Sequence, residues 1–212
     1  MTQHGFVSTA KKRHSSTMEA VNKETTKPEH DSTEDLDLDV CLVGAIYRSR
    51  EREIGLLQRF ADELTDQGWR IGGVVQEVLK NEDGSKAGLD AVDLDTKQRM
   101  PINRPTKATM DYKTCSLDTQ ALAETSTAIQ RAVDQKMDLI LVEKFGEQEQ
   151  LGLGLSGDIL HAVSNGIPTL VAVPDGVRDK WSEFTGDLGD EIPFELEAFH
   201  AWWEKVCPDR KT

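Results

Sequence analysis

Glu143 and Lys144 are the residues of this chain best placed to do chemistry. They stand where the apolar run Leu139-Ile-Leu-Val142 breaks into Glu-Lys-Phe-Gly-Glu-Gln-Glu-Gln-Leu-Gly-Leu-Gly-Leu155. A short continuous apolar run is how a strand buried on both faces reads, and ligands of open α/β sheets sit beyond the carboxyl ends of such strands. There Glu143 could hold a metal or a hydroxyl, and Lys144 a phosphate or carboxylate. Side chains alternate along a strand, so the two point to opposite faces if the strand continues through both. Glu147 and Glu149 add carboxylates in the following loop. Its glycines, Gly146, Gly152 and Gly154, could form a backbone nest for an anion or simply let the loop turn.

A second group, Arg48, Ser49, Arg50 and Arg52, lies between an apolar run and a helical pattern. Free amides and the helix dipole favour negative charge at such a point, so these side chains could face an anion; Glu51 and Glu53 could equally neutralise them. Gln76 closes another apolar run. Cys115 adjoins a candidate helix start, Ser116-Leu-Asp118, where amide donors could activate its thiol, although a buried, inert thiol is the commoner outcome. His161 reads as a surface or core histidine. No nucleophile with its base can be assembled from spacing, because such groups meet only in three dimensions. No cofactor and no metal site is identified: Cys41, Cys115 and Cys207 are far apart with no CxxC pair, which suggests neither zinc nor a disulfide framework.

The elements that must position these groups follow from period and punctuation. Val40–Ile46 reads as a buried core strand, and Ile54, Leu57, Phe60, Ala61 and Leu64 recur at helical spacing before Gly68. Trp69–Val75 reads as a second strand, whose Gly72-Gly73 permits close backbone approach or a bulge. After the turn Asn81–Gly84, two alternating segments, Gly88–Leu94 and Arg99–Ile102, form a hairpin on the edge of the sheet. A helix then runs from Ser116–Asp118 to Asp134 on a stripe of Leu122, Ile129 and Val133. It delivers the chain to Leu139–Val142; a helix through Ile159, Leu160 and Val163 ends at Gly166, and Pro168–Val173 is the last core strand. An acidic, glycine-containing loop precedes a terminal helix bearing Phe194, Leu196, Phe199, Trp202, Trp203 and Val206. Alternating strands and helices predict a three-layer α/β fold with a mostly parallel sheet and a β-hairpin insertion.

Composition bounds the rest. Residues 1–38 hold almost no large apolar side chains and cannot offset the entropy of ordering, so the expected organisation is a disordered tail followed by one α/β domain over 39–212. The net charge of −13, with no basic stripe, argues against nucleic acid or an anionic membrane surface as partner. No run approaches the roughly 20 apolar residues of a membrane span, and no secretory signal is recognisable, so a cytoplasmic location is expected.

Gly73-Val-Val-Gln76, Gly88–Leu94, Cys115–Asp118 and Lys144-Phe-Gly146, with Glu149 and Gly152-Leu-Gly154, resemble the DUF2478 family of bacterial proteins across roughly residues 39–175. That family has no established activity; the association of some members with molybdate-transport ATPases implies a link to molybdenum metabolism. Its order of elements is similar to that of P-loop nucleoside-triphosphatases related to THEP1. By that likeness a Walker B aspartate and a catalytic glutamate fall on Glu143 and Lys144. Lysine there removes the general base, and residues 44–54 lack the glycine-rich turn and Lys-Ser/Thr pair that cradle phosphate and magnesium. The resemblance thus implies a P-loop-like fold with degenerate Walker motifs. The expected function is non-hydrolytic binding of a small anion, a nucleotide or an oxyanion, in an accessory or regulatory role. The site would comprise Arg48, Ser49, Gln76, Glu143, Lys144, Gly146, Glu149, Gly152 and Gly154, with Cys115 and Asp118 as further candidates. Two alternatives stand beside it: a divalent-metal-dependent nucleotide hydrolase or transferase using Glu143, and a scaffold whose tail or Trp202-Trp203 region meets a protein partner.

Overall fold

The computed structural model describes residues 41–50, 52–104 and 119–207. The expected tail at 1–38 lies outside them, as do Cys115 and Asp118. Among the described residues seven strands form one sheet: β1 (Leu42–Tyr47), β2 (Ile71–Lys80), β3 (Lys86–Asp93), β4 (Arg99–Asn103), β5 (Leu139–Val142), β6 (Thr169–Pro174) and β7 (Asp190–Pro193). Their order across the sheet is β4-β3-β2-β5-β6-β1-β7. The five strands from β2 to β7 in that order are parallel, while β3 is antiparallel to both β2 and β4. This is the expected α/β architecture, a mostly parallel sheet with a hairpin at one edge.

Alternation of side chains along the central strands divides the core into two. Val43, Ala45, Leu139, Leu141, Leu170 and Ala172 face one layer, made by α1 (Leu56–Asp66) and, after the other helices, by the terminal helix at Leu196–Val206. Ile140, Val142, Val171 and Val173 face the other, made by α2 (Thr119–Asp134), α4 (Ser156–Ser164) and α5 (Arg178–Thr185). A four-residue turn of helix, α3 (Glu147–Gln150), lies between β5 and α4. The terminal helix, α6, docks through aromatic faces on α1 and on the connection that follows it: Phe60 and Phe199 are fully buried with centroids 5.4 Å apart, and Trp203 meets Trp69, between α1 and β2, edge-on at 4.9 Å. Each such side chain contributes about 1.5–3 kcal/mol by leaving water. The tryptophan stripe is therefore core.

Two details depart from the sequence reading. The segment expected to be an acidic loop holds α5 and the edge strand β7, whose sequence Asp-Glu-Ile-Pro has a single apolar side chain because only one flank of it pairs. And β2 runs five residues beyond the expected end. It pairs with β5 only over Ile71–Val74, then continues against β3 to Lys80, so the hairpin projects past the parallel core. At Gly73, with φ of 106°, a β-carbon would fall on the Leu141 carbonyl; this is the close approach that its glycine permits.

Candidate functional site

The site is built on the carboxyl end of β5. All four of its residues are buried, and the chain stays clamped between its neighbours beyond them: the Glu143 amide donates to the Val74 carbonyl at 3.0 Å, and the Phe145 amide to Ala172 at 2.8 Å. Glu143 is 4% exposed, and Lys144, next to it, is exposed. A buried carboxylate needs a partner, since an uncompensated charge in the interior costs several kcal/mol. Arg52 supplies it. Its guanidinium forms an ion pair with the Glu143 carboxylate, donates to the Glu143 carbonyl at 3.2 Å, and lies over the rings of Tyr47 at 4.7 Å and Phe194 at 5.6 Å. Because β6 separates β5 from β1 in the sheet, Arg52, in the β1–α1 connection, spans the end of β6 to reach Glu143. Burial holds the Arg52 guanidinium below its ordinary pKa, and Tyr47 beneath it opposes that shift. Burial likewise raises the Tyr47 hydroxyl, with Arg52 acting in the other direction.

Glu149 is also buried, and its two oxygens are spent on the loop that contains it. One accepts the Gly146 amide at 2.8 Å and the other the Leu155 amide at 3.0 Å, pinning both ends of a ten-residue excursion. Gly154 completes the brace: its φ is +58°, and a β-carbon there would meet the Glu149 carboxylate. Gly152, with φ of 72°, turns the loop, and its amide donates to the Glu149 carbonyl at 3.1 Å rather than to a nest.

A cavity of about 280 Å³ opens beside this strand end, between β2, the hairpin and α2. Of the residues singled out from sequence, Gln76, Glu143, Lys144, Gly146, Glu147 and Glu149 line it together. Arg48, Ser49, Gly152 and Gly154 do not; Arg48 and Ser49 are exposed on the β1–α1 connection, and the two glycines shape the loop from behind. Asn103, Thr125 and Gln148 add amide and hydroxyl groups that sequence reading did not select. Among the described residues Lys144 has no ion-pair partner, and no three His, Cys, Asp or Glu side chains gather closely enough to hold a metal ion. The arrangement offers a cation and a carboxylate, Lys144 and Glu147, neither in an ion pair among the described residues, with several neutral hydrogen-bonding groups and an apolar floor of Val74, Val142 and Leu155.

Residues 42–202 match the family described as protein of unknown function, DUF2478. The chain belongs to the DUF2478 family. The match runs from the first residue of β1 into α6 and so contains every residue lining the cavity of this DUF2478 protein. The molybdenum import ATP-binding protein ModC 2 of Bradyrhizobium diazoefficiens is 38% identical over 176 residues, 82% of this chain. The aligned region is 19% of that relative, so the chain spans about a fifth of its length. The crystal structure of THEP1 from the hyperthermophile Aquifex aeolicus superposes with a TM-score of 0.49 at 13% identity, over 81% of this chain and 98% of that one. The pairing of Arg52 with Glu143, where Glu51 and Glu53 are the expected counter-charges, and the bracing role of Glu149 are what the sequence reading of this DUF2478 chain missed. The spacing Gly146-x-x-Glu149 carried a signal for the latter, since a glutamate at the third helical position characteristically returns to the amide before the helix. Among the described residues no helix is long and apolar enough to cross a membrane.

Proposed function

We propose that this protein binds a small anion in the cavity at the end of β5, without hydrolysing it, and that it acts as an accessory module. The observation that carries the reading is Lys144, without an ion-pair partner among the described residues, at the rim of a cavity where Glu143 and Glu149 are committed and Glu147 is exposed to solvent. The Glu143 charge is taken by Arg52 and that of Glu149 by two backbone amides, which leaves lysine to meet a ligand. At about 280 Å³ the space lies at the lower edge of the roughly 300–1,000 Å³ of ordinary ligand pockets, which favours an oxyanion over an entire nucleoside triphosphate. The 38% identical segment within a molybdenum importer's ATP-binding protein makes molybdate the first oxyanion to try and such an ATP-binding component the first protein partner.

Support for binding over hydrolysis comes from the same ion pair. A metal-dependent hydrolase would need Glu143 free to coordinate, whereas here it is buried against an arginine that would have to be displaced. The sequence of the β1–α1 connection, without a glycine-rich phosphate cradle, points the same way. Calorimetry with molybdate, tungstate, sulfate and ATP tests the reading. Molybdate or tungstate is expected to bind and Lys144→Ala to weaken binding at least tenfold, with no phosphate released from ATP. Absence of heat for every one of these anions would overturn it.

A further inference from the structure

A second, larger cavity lies on the opposite side of the sheet, where the projecting half of β2 and the β3–β4 hairpin leave the cover of α1 and α6. It measures about 720 Å³, well inside the range of ligand pockets. Its floor is Val75 and Val92, cross-strand neighbours that are buried, and its lip is Ile54, an isoleucine 66% exposed just before α1. Three cations rim it: Lys80, Lys97 and Arg99. Two carboxylates, Asp62 and Glu77, stand among them, so the lining carries one net positive charge in a chain whose total is −13. That local reversal of sign draws anions to this face.

The pairs formed at the rim are exposed. Lys97 is 3.6 Å from Asp62, Arg99 pairs with Glu77, and both pairs are about half-exposed, the class of ion pair worth least to stability. Lys80 has no ion-pair partner among the described residues. Lys97 also holds a left-handed backbone, φ 60°, in the β3–β4 turn, a conformation disfavoured for lysine, and there its side chain lines the cavity. Gln58 contributes a carboxamide, whose nitrogen donates to the Asp62 carboxylate at 2.8 Å. An apolar floor beneath an exposed isoleucine suits a planar ring, a carboxamide suits its polar edge, and a cationic rim suits phosphate. We infer that this cavity is a second binding site, for a nucleoside phosphate, independent of the anion cavity at the end of β5.

Calorimetry on the full chain with AMP, GMP and ADP, against adenosine and inorganic phosphate as partial ligands, tests this. A nucleotide is expected to bind at least tenfold more tightly than either fragment. Lys80→Glu and Lys97→Glu, both exposed positions, are each expected to weaken that binding at least tenfold, while Lys144→Ala leaves it within twofold. Failure of all three nucleotides to bind would overturn the inference. So would nucleotide binding that Lys144→Ala abolishes and Lys80→Glu spares, since that ligand would then sit in the other cavity.

Discussion

The Arg52–Glu143 pair concentrates the energetics of the site in two side chains. Each is mostly withdrawn from water, and the Arg52 Nε hydrogen has no acceptor, so the pair's geometry satisfies the carboxylate more fully than the guanidinium. Removing one partner of such a pair leaves a buried charge without its counterpart, which costs about 3–5 kcal/mol. Arg52→Met and Glu143→Gln are each expected to lose about that much in urea unfolding. The double variant should lose much less than the sum, and strictly additive losses would show that the two charges do not depend on each other. The position of Glu143 was legible in the sequence, because an apolar run that breaks into charge marks a strand end. Its partner was not: the two residues are 91 apart, and their meeting depends on β6 lying between β5 and β1, an order that no local pattern encodes.

Among elements, the loop between β5 and α4 is the one most tightly specified. Glu149 holds both its ends, and Gly154 is the only kind of residue that fits behind the carboxylate at that backbone angle. Gly154→Ala should therefore cost more than the roughly 1–2 kcal/mol of a left-handed alanine, because its methyl also displaces Glu149. In a Glu149→Ala background the same substitution should fall back towards that backbone cost alone. Denaturant midpoints of the four proteins decide it, and an equal penalty in both backgrounds would separate the glycine from the brace. The buried strands and amphipathic helices were legible because their apolar residues keep a period. Strand β7 and helix α5 were not. At the sheet edge β7 needs one apolar side chain, and α5 needs Trp181 and little else fully buried, so neither leaves a periodic trace. The length of β2 was hidden for a related reason, since its second half, half-buried and facing the hairpin, mixes polar and apolar residues.

At the scale of the whole molecule, two apolar layers close on one sheet, and Tyr47 ties stability to pH where they meet the site. Burial raises its hydroxyl above the ordinary 10.0, so the folded protein holds this proton more tightly than the unfolded chain. The resulting stability is complete below the unfolded value near 10 and is lost as pH rises through the higher folded value. Unfolding midpoints are accordingly expected to fall more steeply above pH 10 in the native protein than in Tyr47→Phe; superimposable profiles would remove Tyr47 from the account. The three-layer arrangement itself could be read from the alternation of elements, whereas the two cavities could not, because each is bounded by strands and helices distant in sequence. Val75 and Gln76 line both. Strand β2 is thus a party wall between two rooms, and a substitution at Val75 or Gln76 changes the lining of both.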